Sequence, residues 1–471
     1  MKLHQIAIAT ALVAAGSSAF ATTYNFRLSG SSALQKVVAK AIANNCSSLT
    51  TLSGALGSAA AGPLDNANGQ SQTLYVCTIS ATSAWGAPYS TGGANVVNIY
   101  MNTQGSAYGV FPVAYGLPTA FIDPATCGAS TCTGITTSFA PDAGLSDLEP
   151  TAFNALSNHP VDPTVGGQYF VNGHPAAPAG TAYPKLFTQY TKVAPSLFAS
   201  SKIAAVQTFG LAVSNALYAD LQADQGTSGV PTVSSSALAT IYSPGYSTAL
   251  GNWQPFFTGA LANAGTVNNQ VNICSRLPGS GTRASAQALF LGAPFNTYVQ
   301  SFATAADDNT GGDTTISQTI SQNNQGTYEI GEYDNSGAVT GCIANANLPV
   351  NNNAYAIGLL SVDRASGGTT GFQFVNLDGS VPNASAASVG KYNWVYEAFY
   401  NISKTAVDGP FAIAFGNAFK TPTNISNLGA PSTNGVMAAV PNCTAGYSGV
   451  NSVCSHVSRG GNSASILSYA Q

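Results

Sequence analysis

Arg276-Leu277-Pro278-Gly279-Ser280-Gly281-Thr282 lies between a short apolar run, Val271-Asn272-Ile273-Cys274, and an alanine-rich segment from Arg283 to Leu291. The first run reads as a strand and the last as a helix, so the seven residues between them read as a strand-to-helix junction. Such a junction suits an anion. First-turn amides lack intrahelical partners and the helix dipole is positive there. The glycines let the backbone close on a ligand, the hydroxyls donate, and Arg276 can hold two oxygens at once. The stretch lacks the Gly-Lys-Ser/Thr ending of a nucleotide loop, which disfavours ATP. Taken alone, Gly279-Ser280-Gly281-Thr282 is explained equally well as a capped turn.

Two more junctions of similar composition lie upstream. Tyr24-Asn25-Phe26-Arg27-Leu28 alternates like a strand and runs into Ser29-Gly30-Ser31-Ser32. Leu34, Val37, Val38, Ala41 and Ile42 then recur at helical spacing, with Ser31 or Ser32 as the expected N-cap. Gly144-Leu145-Ser146-Asp147 is the third junction, and Asp147 is most simply the N-cap of a helix around Pro150 to Leu156. Phe209 to Val213 and Ala356 to Leu360 read as buried strands, and Ser236 to Tyr242 as a short capped helix. Strands alternating with helices predict α/β layers with ligands at the strand C-termini. Gly- and Ala-rich residues 53–72 and Pro-rich residues 159–185 read as surface excursions.

The N-terminus predicts export. Lys2, an apolar run from Ile6 to Ala15 and Ala19-Phe20-Ala21 have the layout of a signal peptide cleaved before Thr22. The run is shorter than the ~18–20 residues of a membrane span. No cysteine stands at the cleavage point to take a lipid, so a periplasmic or secreted protein is expected. Eight cysteines follow: Cys46, Cys77, Cys127, Cys132, Cys274, Cys342, Cys443 and Cys454. An even count behind a signal peptide reads as disulfides. About 105 pairings are open, and pairing of sequence neighbours is the expectation adopted. Charged residues make up 7% of the chain against 45% hydrophobic, far from the high charge and low hydrophobicity of disorder. The net charge of −4 offers no polycationic face to nucleic acid.

Catalytic signatures are scarce. Beyond the N-terminal segment the histidines are His159, His174 and His456, each read as a loop residue. There is no GxSxG elbow and no HExxH. Asp307, Asp308 and Asp313 could hold calcium but read more simply as a solvated loop, and Glu329, Glu332 and Asp334 read as surface charges flanking a strand. No enzyme, cofactor or metal site is expected.

Taken in order, the three junctions resemble the loops of the periplasmic phosphate-binding proteins of bacterial ABC transporters, members of the type II periplasmic binding-protein fold. Gly30-Ser31-Ser32-Ala33-Leu34 resembles the family's first phosphate loop, which implies Ser32 and Ala33 as contacts. Gly105-Ser106-Ala107-Tyr108-Gly109 is similar to its Gly-Ser-Ser-Gly-Gly segment and implies Ser106, with Ser90 as a rival. Gly144-Leu145-Ser146-Asp147 resembles its Gly-Ala-Ser-Asp, whose aspartate accepts the proton of bound phosphate. Arg276, Ser280, Gly281 and Thr282 resemble the clamp of the second lobe. Leu238-Ala239-Thr240-Ile241-Tyr242, with Gly245 and Trp253, and Tyr355-Ala356-Ile357-Gly358 are similar to further family segments. Where the family has an aspartate before Gly-Ser-Gly-Thr this chain has Pro278, which removes one acceptor.

The resemblance implies a two-lobed α/β fold with mixed sheets flanked by helices and a ligand cleft between the lobes. The expected division is a signal peptide at 1–21, lobe 1 at 22–205, lobe 2 at 206–362, and at 363–471 a return to lobe 1 with a disulfide-stapled tail. It implies a monomeric solute-binding protein that takes phosphate or a related tetrahedral oxyanion and hands it to an ABC permease. Two other readings stay open: a secreted surface protein that reuses the fold without transport, and a secreted phosphatase.

Overall fold

The computed structural model describes residues 23–54, 72–79, 82–83, 85, 95–160, 185–190, 192–246, 252–262, 270–293, 301–303, 328–333, 335–349, 354–364, 366–418, 420–429, 432–443 and 453–469. The signal peptide, Ser90, His174, Asp307, Asp308, Asp313 and Asp334 lie outside the described residues, as do most of the excursions at 53–72 and 159–185.

The chain opens with β1 (Thr23–Gly30), whose Phe26 and Leu28 are buried while Asn25 faces out. The helix Gln35–Asn45 follows and buries Val37, Val38, Ala41 and Ile42, one stripe of its surface. Next come β2 (Cys46–Gly54), β3 (Gln72–Ile79), β4 (Val96–Asn102), β5 (Thr119–Ile122), β6 (Thr131–Cys132), β7 (Ile135–Phe139) and β8 (Ala143–Ser146). The 16-residue β9 (Phe198–Val213) leads into β10 (Thr232–Val233), β11 (Val271–Arg276), β12 (Tyr328–Tyr333) and β13 (Ala356–Ser361). After β14 (Gln373–Phe374) and β15 (Asn376–Leu377), β16 (Val395–Ser403) joins the main layer, and β17 (Val436–Met437) adds to it along β9.

The strand order is β12-β11-β13-β9-β16-β8-β1-β4-β3-β2-β6. Parallel triads stand on both sides of a central antiparallel pair: β12, β11 and β13 on one, β8, β1 and β4 on the other. β9 belongs to both. Its first part, Phe198 to Thr208, pairs with β16, and Phe209 to Val213 pairs with β13. Two α/β modules thus share one long strand, and the two-lobed architecture expected from the sequence is the one observed. Parallel strands end on one edge, so the loops after β1, β4 and β8 converge, as do those after β11 and β13.

One hydrophobic cluster lies within the first module, and a second, larger one runs from first-module residues such as Phe111 and Phe153 into the second module. In the first, Phe26 meets Phe411 and Phe415 of the helix Gly409–Asn417 with ring centroids 5.1 and 5.0 Å apart, and Trp85 stacks on Phe415 at 5.2 Å. In the second, Trp253 packs among Phe256, Phe257 and Tyr355 and donates to the Gln270 carbonyl at 2.9 Å. Disulfides join Cys46 to Cys77, Cys127 to Cys132, Cys274 to Cys342 and Cys443 to Cys454, each a pair of sequence neighbours. No described helix is long and apolar enough to cross a membrane.

Three local expectations fail here. The helix after β1 begins at Gln35 with Leu34 in the cap position and no side-chain cap, so neither Ser31 nor Ser32 caps it. Asp147 caps nothing either: the segment from Pro150 is a 3-10 turn ending at Asn154, preceded by Glu149. Glu329 and Glu332, read as surface charges, are buried inside β12. A strand with both faces covered buries every residue, charged ones included, provided that each finds a partner. Glu332 forms an ion pair with Arg283 at 2.5 Å, and Glu329 accepts from the Gln270 amide.

Candidate functional site

The loops after β1, β4, β8 and β11 meet around Asp147. Ser31 lies past the end of β1, its amide bonded to the Leu145 carbonyl at 2.9 Å, and its hydroxyl donates to Asp147 Oδ1. From the loop after β4, Ser106 Oγ accepts from the Asp147 amide at 3.0 Å. The loop after β11 closes from the opposite module. Ala107 N–H donates to the Gly279 carbonyl at 2.9 Å, a direct backbone bond between the two modules. Gly279 takes a φ of +92° there, a conformation that favours glycine.

Electrostatics single out Asp147. It is buried, and burial pushes its carboxyl up to about 6 against the pull of Ser31, Arg276 and Ser106. A second carboxylate, Asp363, adds to the upward push. Arg276 is itself buried, with Nε donating to the Tyr333 carbonyl at 3.3 Å and an Nη to Ser336 Oγ at 3.0 Å. Its fork is thus held in place by β12 and by the start of the helix Ser336–Asn345.

Of the residues implied by the resemblance, Ser106, Asp147 and Gly281 are packed against one another. Arg276 acts on Asp147 through its charge. Ser32 Oγ and Thr282 Oγ1 are buried and have no hydrogen-bond partner. Two buried hydroxyls left so are unspent donors, an arrangement that a bound polar ligand would complete. Ser280 is the N-cap of the helix Gly281–Ala286, its Oγ accepting from Arg283 N–H at 3.4 Å. The Ala33 amide is engaged by Ser31 Oγ at 3.1 Å.

Sequence reasoning passed over three residues. Ser31, read only as a helix cap, is the one that orients Asp147. Asp363 and Arg364 follow β13, which runs parallel to β11, so they emerge on the edge that carries Arg276. Asp363 is buried, accepts from Ser361 Oγ, and is pushed up by burial. The Arg364 guanidinium is pushed down by burial and its Nε has no partner. Lys36, from the first turn of the helix after β1, is lowered by burial and by Arg364, and partly restored by Asp363. The rule that ligands gather at the C-terminal ends of parallel strands would have pointed to the Asp363-Arg364 pair.

The Gly281–Ala286 segment carries a second buried arginine that is structural. Arg283 spends its donors on Glu332, on the Arg276 carbonyl at 2.8 Å, and on the carbonyls of Phe302 and Ala303 at 3.2 Å each. Lys185 lies near enough to feel both members of that ion pair, and burial with the Arg283 charge pushes its ammonium down to about 8. His159 is fully buried rather than exposed in a loop. Its ring lies 4.8 Å from Phe111 and its Nδ1 is 3.0 Å from the Leu186 carbonyl oxygen. No cluster of metal-ligating side chains occurs among the described residues.

No protein-family model and no curated protein matches the chain. Solved structures similar to it include a chain assigned as a phosphate ABC transporter substrate-binding protein, with bound phosphate, from Clostridium perfringens. That likeness has a TM-score of 0.41 and 11% identity, over 86% of this chain and 97% of that one. An ABC-type phosphate transport receptor from Vibrio cholerae gives a TM-score of 0.37 and 10% identity, over 86% and 98%. A phosphate-binding protein from Stenotrophomonas maltophilia gives 0.37 and 11%, over 84% and 83%. Likeness at this level says nothing of the ligand here.

Proposed function

We propose that the protein is an exported solute-binding protein that holds phosphate, or another protonated tetrahedral oxyanion, between lobes bounded near residues 205 and 362. It would serve uptake through an ABC permease. The observation that carries this reading is the pair of buried, unpartnered hydroxyls, Ser32 Oγ and Thr282 Oγ1, each next in sequence to a residue packed on Asp147, whose carboxyl also feels the Arg276 charge. A cation, hydroxyl donors and one carboxylate suit an anion that still bears a proton. The carboxylate accepts that proton's hydrogen bond, and the donors take the remaining oxygens. A fully ionised anion such as sulfate would set two negative groups face to face in a buried site, at a cost of roughly several kcal/mol.

Pro278 removes one acceptor of the family pattern, yet Asp363 adds a second buried carboxylate close enough to act on Asp147. This supports retention of a preference for protonated ligands. Calorimetric titration of the purified protein with phosphate, with sulfate as control, tests the reading. One-to-one phosphate binding that a Ser32→Ala/Thr282→Val double variant weakens is expected. Absence of heat with any oxyanion would sink it and leave the surface-protein reading. Release of product from a chromogenic phosphate ester would revive the phosphatase.

A further inference from the structure

We propose that the outer face of β1 and β4 carries a second binding site, for a small carboxylate attached to a flat apolar group such as an aryl ring. A cavity of about 300 Å³ lies there beside the antiparallel β5–β7 pair, lined by Phe121 and Ile122, both buried. Arg27 lines it between two rings: its guanidinium lies 3.9 Å from the centroid of Phe139 and 5.5 Å from that of Tyr100. Asn98 stands beside it, its amide donating to Asn25 Oδ1 at 3.1 Å.

The donors of this guanidinium are unspent. Among the described residues Arg27 forms no ion pair and its side chain donates no hydrogen bond. The nearby carboxylates spend their hydrogen bonds on main-chain amides, although Asp142 feels the Arg27 charge. Asp142 accepts from the main-chain amides of Arg27 and Val407, each at 2.8 Å, and Asp123 caps the turn at Ala125 at 3.0 Å. An arginine placed only to strengthen the β5–β7 pair would need the rings but no cavity. Here the rings flank the guanidinium while its donors stay unspent, and such a fork matches a carboxylate bidentately. The buried apolar lining beside it matches a ring. The site lies at the outer flank of the first module and shares no residue with the cleft around Asp147.

The test uses the full chain and benzoate as probe, with acetate and benzyl alcohol as probes that each lack one half of the proposed recognition. Ligand-observed NMR and calorimetry should show one benzoate bound, with either control weaker by about tenfold or more. Arg27→Gln should weaken benzoate by a similar factor and leave phosphate binding in the cleft as it was. Arg27→Lys, which keeps the stem and the charge but loses the fork, should weaken it severalfold and covers the case in which the glutamine variant does not fold. Absence of benzoate saturation in folded protein, equal binding of benzyl alcohol, or an unchanged affinity in both variants overturns the proposal. Failure of phosphate to bind in the cleft leaves it untouched.

Discussion

A Cβ on Gly281 would lie 2.5 Å from Oδ2 of Asp147, so the loop after β11 reaches the carboxylate only because residue 281 has no side chain. The contact joins residues from opposite modules and sets how far the cleft can close. Gly281→Ala should therefore hold the modules apart at this point while sparing each core. Under the proposed function, phosphate affinity should fall by at least about tenfold, ~1.4 kcal/mol, with the unfolding midpoint nearly unchanged. Calorimetry beside thermal denaturation checks this, and unchanged affinity would separate Gly281 from closure.

Asp147 predicts a pH dependence with a definite sign. Its carboxyl is raised by burial to about 6 from the ordinary 3.8. The folded state thus binds this proton more tightly than the unfolded chain, and stability from this group is lost as pH rises from about 4 to 6. Asp147→Asn removes the charge and keeps an oxygen that can accept from Ser31. At pH 7.5 the variant should be more stable than the parent by roughly 2–3 kcal/mol, and near pH 3 the two should converge. Urea unfolding at both pH values measures it. Under the proposed function the same variant should lose its discrimination between phosphate and sulfate.

The parts of this site that were legible in sequence are those encoded by local pattern. The alternation from Tyr24 to Leu28, the stripe from Leu34 to Ile42 and the junction from Arg276 to Thr282 each specify an element by themselves. The capped turn at Gly279 to Thr282 was readable because capping is local, whereas the caps expected at Ser31 or Ser32 and at Asp147 do not form. The role of Ser31 was not, because its partner Asp147 is 116 residues away. Nor was the burial of Glu329 and Glu332, whose partners Gln270 and Arg283 lie 59 and 49 residues upstream. Asp363 and Arg364 carry no motif, and only the parallel register of β13 with β11 brings them to the cleft edge.

Glu332 gives a stability prediction that leaves the loops around Asp147 in place. It is the carboxylate partner of Arg283, both are buried, and Arg283 ties the Gly281–Ala286 segment to β11 through the Arg276 carbonyl. Glu332→Gln keeps the shape but leaves a buried cation without its counter-charge. Removing one member of a buried pair costs about 3 kcal/mol or more. Denaturant unfolding should show that loss, whereas Lys420→Gln at the surface should change little. A loss below about 1 kcal/mol would mean that Arg283 is satisfied by its carbonyls alone.

The disulfide between Cys274 and Cys342 bears on both stability and the site. Cys274 lies in β11 two residues before Arg276, and Cys342 lies in the helix whose first residue, Ser336, accepts from the Arg276 guanidinium. The covalent bond thus fixes the distance between the arginine and the hydroxyl that orients it. It spans 68 residues, against 11 for Cys443–Cys454. In the chain-entropy account, cross-linking the longer loop is worth about 4 kcal/mol and the shorter about 3. Cys274→Ala/Cys342→Ala should therefore destabilise more than Cys443→Ala/Cys454→Ala. The first double variant alone should also weaken phosphate binding, because Arg276 loses the fixed position of Ser336. Equal losses of affinity in the two would show that the bond acts on global stability and not on the arginine.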